Sequence, residues 1–298
     1  MTDKSTYYLR FIFLMAFIVV FSINANAQED LIDILEEESQ VSPSWTTATF
    51  KGTRMINGHS IETRNQYALD FIISHRFGRV NSGIDEFFGL DNANIRLGLD
   101  YAITDLLTIG VGRSSFQKVY DGYLKYKIIR QGSGQGQLPL TVTGLVGMAI
   151  NTLDWANPER AYRSSDRYSY TYQLLIARKF SDATSVQLMP TLIHRNLVPE
   201  NRENNNLYAL GIGGRQKLTQ RVALTFEYYY QFNNHSSRDY YNPVAIGFDI
   251  ETGGHVFQLH FTNAQATYEP GFIPQTTGNF FDGDIHFGFN ITRTFQLK

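Results

Sequence analysis

From residue 66 onward, apolar residues alternate with small or polar ones at period 2, segment after segment. That rhythm restricts the chain to strands that each keep one apolar face. Ile95, Leu97, Leu99, Tyr101 and Ile103 are interleaved with Arg96, Gly98 and Asp100, and Leu107, Ile109 and Val111 with Thr108, Gly110 and Gly112. Further rows begin at Tyr67, Tyr120, Leu138, Tyr168, Val186, Tyr208, Val222, Val244, Phe257 and Ile285, the fifth running from Leu138 to Ile150. The one awkward member is Pro190, which lacks a ladder donor and predicts a bulge or a local break in pairing. The rows amount to about twelve strands, an even number as bacterial single-chain barrels have.

These faces point to lipid. Past the N-terminus no stretch is apolar enough for a spanning helix, and the mean hydropathy is only -0.25. In a barrel lipid-facing and lumen-facing residues alternate, so hydropathy averages away along a chain that is nonetheless embedded. Aromatic residues make up 14% of the chain, with 18 Tyr and 22 Phe, more than a soluble sandwich needs. Girdles of such rings mark both membrane interfaces. The fold class expected is all-β: a transmembrane antiparallel up-and-down β-barrel with a short N-terminal periplasmic or lumenal segment.

The connections agree with this. Thr104-Asp105, Ser181-Asp182, Thr219-Gln220 and residues 251–254 are tight, and residues 131–137 form a Gly-rich turn. Longer links at 78–92, 153–167, 196–205, 233–242 and 266–282, with the shorter 114–118, fall at the other end. Short periplasmic turns alternating with long extracellular loops follow the rule for such barrels. Register follows from energy, because a Lys facing lipid at the midplane costs about 2–4 kcal/mol. Lys125 therefore turns inward with Asp121 and Tyr123, and Leu124 and Tyr126 turn outward.

Three segments are expected. Residues 1–27 read as a secretory signal: Lys4 and Arg10, an apolar run at 11–23, then Ala25-Asn26-Ala27 as the cleavage site. The run is shorter than the roughly 18–20 apolar residues of a membrane anchor. Residues 28–65 hold a short acidic amphipathic stretch at 29–38. Behind it, 43–64 is an extended piece in the periplasm or the lumen, or else an extra irregular strand. Residues 66–298 form the barrel. Export with a barrel implies the outer membrane of a Gram-negative bacterium, with outer-membrane lipid as its surroundings.

Function is less legible. The sequence has no cysteine, hence neither disulfides nor thiol chemistry, and a net charge of -2 excludes the basic footprint of a nucleic-acid binder. With this register, Asp70, Arg96, Asp100, Asp121, Lys125, Glu227, Asp249, His260 and His286 face the lumen, as do Arg76, Arg195 and Arg215. They line a polar pore or binding cavity, or they form a network that plugs a narrow barrel, and both readings stay open. Lys127, Lys179, Lys217 and Arg221 form a basic periplasmic rim on which the acidic stretch could dock as a gate. Residues 28–65 could equally receive a periplasmic protein partner. His260 and His286 lack a third ligand, so no metal site is expected. No cofactor motif occurs, since 132–136 is a turn without a phosphate-loop helix. The expectation is a non-enzymatic small-solute channel or a binding and scaffold barrel. A lipid-modifying hydrolase using His235 and Ser236 is the alternative.

The run Thr49-Phe50-Lys51-Gly52-Thr53-Arg54-Met55-Ile56-Asn57-Gly58-His59-Ser60-Ile61-Glu62, with Ile73-Ser74-His75-Arg76-Phe77-Gly78, Phe88-Gly89-Leu90-Asp91 and Gly110-Val111-Gly112-Arg113-Ser114-Ser115, resembles an uncharacterised outer-membrane β-barrel family, a domain of unknown function from Gram-negative bacteria. The resemblance covers nearly all of the expected mature chain. It implies a barrel in the outer membrane and carries no activity or site residues with it.

Overall fold

The computed structural model describes residues 44–134, 137–155, 159–198, 203–233 and 240–297. The signal and acidic stretches expected within 1–43 and the His235-Ser236 pair lie outside the described residues. From Trp45 onward the chain forms one compact unit.

Twelve antiparallel strands close on themselves: β1 (Ala68–Arg79), β2 (Ala93–Ala102), β3 (Leu107–Ser114), β4 (Val119–Ile129), β5 (Thr141–Asn151), β6 (Tyr168–Lys179), β7 (Thr184–Arg195), β8 (Asn206–Lys217), β9 (Val222–Gln231), β10 (Val244–Thr252), β11 (His255–Thr262) and β12 (His286–Gln296). Each pairs with its sequence neighbour, and β12 returns to β1 with Phe295 opposite Leu69 and Ile291 opposite Ile73. Closure leaves no free edge among the barrel strands, as lipid requires of a sheet. Leu97, Leu99, Val111, Leu124, Val146, Leu174, Phe248 and Leu259 are all exposed on the outer face, while Asp100, Lys125 and Glu227 alternate with such rows and are buried. The expected register therefore holds from strand to strand.

Local departures have local causes. The fifth row was expected to begin at Leu138, but β5 begins at Thr141, and Leu138 lies in the connection behind β4. That connection is anchored by its own bonds, with the Gly132 amide on the Leu138 carbonyl and the Gln131 amide on the Thr141 hydroxyl. At Pro190 the β6–β7 ladder skips from Gln173 opposite Thr191 to Ile176 opposite Leu188, with no change of register. On its other side Pro190 still pairs with Leu210. The proline thus breaks pairing without bulging the strand. The register shifts instead lie between Lys127 and Ile129 and between His286 and Gly288.

The larger departure is inside. Within 44–64 the expected extended piece enters the lumen but folds back on itself there, and apart from the two-residue strand Ser44–Trp45 it adds no strand. Residues 53–60 form a tight hairpin, the Ser60 amide donating to the Thr53 carbonyl at 3.0 Å and the Met55 amide to the Gly58 carbonyl at 2.9 Å. Phe50 and Thr53 through Ile61 are buried. The link at 266–282, expected as an extracellular loop, turns inward in its first half. It places the one-turn helix α1 (Glu269–Phe272) and Ile273 in the interior, Phe272 and Ile273 having no exposed surface. Both segments pack on inward residues of β5 to β9, among them Ala149, Leu175, Met189, Ile193, Leu207 and Tyr229.

Candidate functional site

The candidate site is the barrel interior, and its chemistry starts from the hairpin. A reversal of chain buried in a barrel leaves amides and carbonyls that the ladder cannot satisfy, and each must find a partner. Here the wall supplies them. Glu227 on β9 accepts from the amides of Gly58 (2.9 Å), Asn57 (3.3 Å) and Ile56 (3.4 Å). Gln187 on β7 accepts from the Ile61 amide and donates to the His59 carbonyl, both at 2.8 Å. Lys125 on β4 donates to the carbonyls of Thr53 and Ser60 at 3.2 and 3.4 Å. Thr143 on β5 donates to the Ile61 carbonyl and Asn290 on β12 to the Ile56 carbonyl. Arg76 on β1 reaches the Asn57 side chain at 2.9 Å, Asp100 on β2 accepts from the Thr53 hydroxyl, and Gln258 on β11 donates to the Met55 carbonyl. The hairpin and the adjoining Ile61 are tied to eight strands around the circumference.

All nine lumen residues predicted from the register lie on the inner face. Five of them hydrogen-bond to the plug, to its flank or to a wall residue that holds it. Besides Asp100, Lys125 and Glu227, Asp70 pairs with Arg64 at 2.7 Å and Asp249 accepts from Gln258 at 2.9 Å, where Gln258 also holds the hairpin. Arg96 and Asp121 form a wall pair, the Arg96 Nε donating at 2.9 Å and its Nη2 to the second carboxylate oxygen. His286 sets Nδ1 2.8 Å from the Phe77 carbonyl, and both ring nitrogens of His260 are buried without a hydrogen-bond partner. Among the described residues no cluster of three His, Cys, Asp or Glu is placed to hold a metal.

At the end with the short turns, the predicted basic rim is already partly engaged. Lys127 lies 3.8 Å from Glu62, and Lys179 pairs with Asp182 at 2.8 Å while reaching the Thr47 carbonyl. Lys51 adds a 2.6 Å pair with Glu251, and the Thr46 amide donates to the Gln131 carbonyl. Thr63 and the Gln66 amide bond to Asp105. Both ends of the plug segment therefore sit at the short-turn rim, and the hairpin enters the barrel from that side. Lys217 and Arg221 have no side-chain ion pair among the described residues.

Hairpin and inward-turned loop meet at Glu269. Its Oε1 lies 3.4 Å from Arg54 Nη1 and 3.5 Å from His59 Nε2. Burial pushes the Glu269 carboxyl up, with Arg54 pulling it back, and burial, then Arg54, hold the His59 imidazole well below its usual range. His59 is therefore neutral, and its approach to Glu269 is not an ion pair. Sequence reasoning missed this loop. The available signal was the loss of strict alternation in Leu174-Leu175-Ile176, Leu188-Met189 and Leu192-Ile193, which makes both faces of those strands apolar.

At the long-loop end a cavity of about 430 Å³ remains above the loop, lined by Asp154, Tyr168, Tyr240, Gln265 and Gln275 among others.

Comparison with known proteins places this architecture. No curated protein matches the sequence. Among solved structures, the NanC porin aligns at a TM-score of 0.47 with 9% identity, over 77% of this chain and 100% of that one. The KdgM porin aligns at 0.45 with 8% identity, over 76% and 99%. An outer-membrane channel from Pseudomonas putida F1 aligns at 0.44 with 12% identity, over 83% and 100%. A family model described as membrane-bound β-barrel domain (DUF5777) matches residues 50–295, which include the hairpin as well as the strands. By that match the chain belongs to the DUF5777 family of membrane-bound β-barrel domains.

Proposed function

We propose that this protein is a non-enzymatic outer-membrane barrel of a Gram-negative bacterium, closed at rest by its own N-terminal hairpin. It is a gated small-solute channel whose opening requires the hairpin to leave the lumen. The observation that carries the reading is the engagement of residues 53–61 inside the lumen by side chains of eight strands. The plug is tied to the wall by hydrogen bonds, which water can replace, while Phe50, Met55 and Ile61 also pack in the apolar interior, so opening carries the cost of exposing these three side chains. The membrane assignment follows the family, and the outer membrane is supported by the export-signal pattern of residues 1–27.

A periplasmic protein gripping residues 28–49 would be well placed to withdraw the plug, because Thr46, Thr47 and Lys51, which lead into the hairpin, bond at the short-turn rim. The test is single-channel recording in planar bilayers of the protein from Gln28 onward, beside a variant lacking residues 28–64. Silence from the intact protein and discrete steps from the deletion are expected. Equal conductance from both would overturn the gate, as would silence from both with barrel circular dichroism intact.

A further inference from the structure

The hairpin accounts for the lower half of the lumen and leaves unexplained the cavity at the long-loop end. That cavity, about 430 Å³, lies within the roughly 300–1,000 Å³ range of small-molecule sites. Its floor is the inward-turned loop, held by Tyr268, Phe272 and Ile273, which are almost wholly buried. The pocket is therefore built on packed structure.

The chemistry of its lining selects a ligand. Almost every charged group there is already committed to the protein. Arg167 gives Nη1 to the carbonyls of Asn151 (2.9 Å) and Leu153 (2.7 Å) and lays its guanidinium 4.1 Å over the Trp155 ring. Arg195 gives Nη2 to Glu203 at 3.1 Å while its buried Nε and Nη1 keep no hydrogen-bond partner among the described residues, Asp166 accepts from the Arg163 amide at 2.9 Å, and His286 is tied to the Phe77 carbonyl. Beyond those two nitrogens, what remains for a guest is a set of hydroxyls and amides. The side chains of Tyr168, Ser169, Tyr240 and Gln265 make no hydrogen bond among the described residues, and Gln275 uses only its oxygen, on Gln117. Asp154 adds a carboxylate with no hydrogen bond or ion pair among the described residues, an acceptor for hydroxyls. Apolar patches from Val119, Ala149 and Pro270 lie between these groups.

We infer that this cavity is a binding site for a neutral, polyhydroxylated solute of mono- or disaccharide size. Hydroxyls of such a molecule match the amides, the phenols and the free Arg195 nitrogens, its C–H faces match the apolar patches, and its lack of charge matches a lining in which Arg167 and Arg195 stand beside Asp154 and Asp166. An anion here would meet Asp154 and Asp166 beside Arg167 and Arg195, and a cation the two arginines beside the two carboxylates, so neither sign finds an unopposed counter-charge and a sugar avoids the cost of burying one. The site does not depend on whether the hairpin moves, so its test is independent of conductance.

The protein offers a reporter. It has two tryptophans, Trp155 in the cavity wall and Trp45 on the plug segment under Arg130. In a Trp45→Phe background, the full chain from Gln28 in detergent is titrated with maltose, N-acetylglucosamine and glucuronate, following Trp155 fluorescence and calorimetric heat. Saturable binding of at least one neutral sugar is expected, in the millimolar range or tighter. The Gln265→Ala, Gln275→Ala double variant should weaken it at least tenfold, and Tyr240→Phe, which removes only a hydroxyl, should weaken it severalfold. Melting curves matched to the parent exclude unfolding as the cause. Binding of glucuronate alone would overturn the assignment of a neutral ligand. No saturation by either neutral sugar, or affinity unchanged in both variants, would overturn the site.

Discussion

Single residues decide whether the plug fits. Gly58 sits at the hairpin tip, where an added Cβ would stand 2.2 Å from the Tyr229 hydroxyl and 3.3 Å from its ring carbon. Gly58→Ala should therefore push the tip off Glu227 and strand three amides, at about 1–3 kcal/mol per unsatisfied buried donor. Tyr229→Phe removes the clashing oxygen and should restore most of that loss in the double variant, with hydrogen exchange at residues 56–58 as the readout. Arg96 depends on the same kind of space. Cβ atoms at Gly98 and Gly112 would approach its guanidinium to 2.6 and 2.2 Å. Gly112→Ala should break the Asp121 pair and lower stability toward urea by about 3–5 kcal/mol, the usual cost of leaving a buried charge unpaired. Inward glycines were visible in the sequence as the small partners of apolar rows. Which side chain each of them admits was not, because Tyr229 meets Gly58 across 171 positions of chain.

At the scale of elements, the strands behave as their patterns demand and the exceptions are informative. Pro190 keeps its pairing to β8 and loses it to β6, so its missing donor faces β6. Pro190→Leu supplies that donor at an outward position and should slow exchange at Leu174 and Leu175. A gain of about 1 kcal/mol in unfolding free energy is expected with it, the net worth of one hydrogen bond. The hairpin at 53–60 and the loop bearing α1 are the opposite kind of element. Neither has a periodicity, and both are fixed by what surrounds them. Residues 50–56 already looked wrong for lipid on either face, since Phe50, Gly52, Arg54 and Ile56 share one row. That weighed against a lipid-facing strand but left an extra irregular strand open, and it could not say which surface the segment would meet. The loop carried less warning still, its apolar Phe272 and Ile273 standing among prolines, glycines and threonines that read as an ordinary connection.

Across the whole molecule two environments act on one sheet, lipid outside and a crowded interior within. Leu99, 45% exposed at the middle of β2, faces the first, and its neighbour Asp100, buried, the second. Leu99→Arg should cost about 2–4 kcal/mol in reversible folding into vesicles, falling toward zero for the same change at Phe295 near the rim. A cost independent of depth would contradict the membrane register. The sequence by itself determined the strand count, the outward rows, the alternation of turns and loops and the inward placement of the charged residues. Each of these follows from transfer free energies acting on one residue at a time, and period 2 writes them along the chain. Only the tertiary structure decided that the lumen is filled. The filling depends on segments far apart in sequence arriving in the same space, as when Arg54 meets Glu269 across 215 positions of chain. Hydrogen bonds depend on distance and angle, and no local pattern records where such partners will stand.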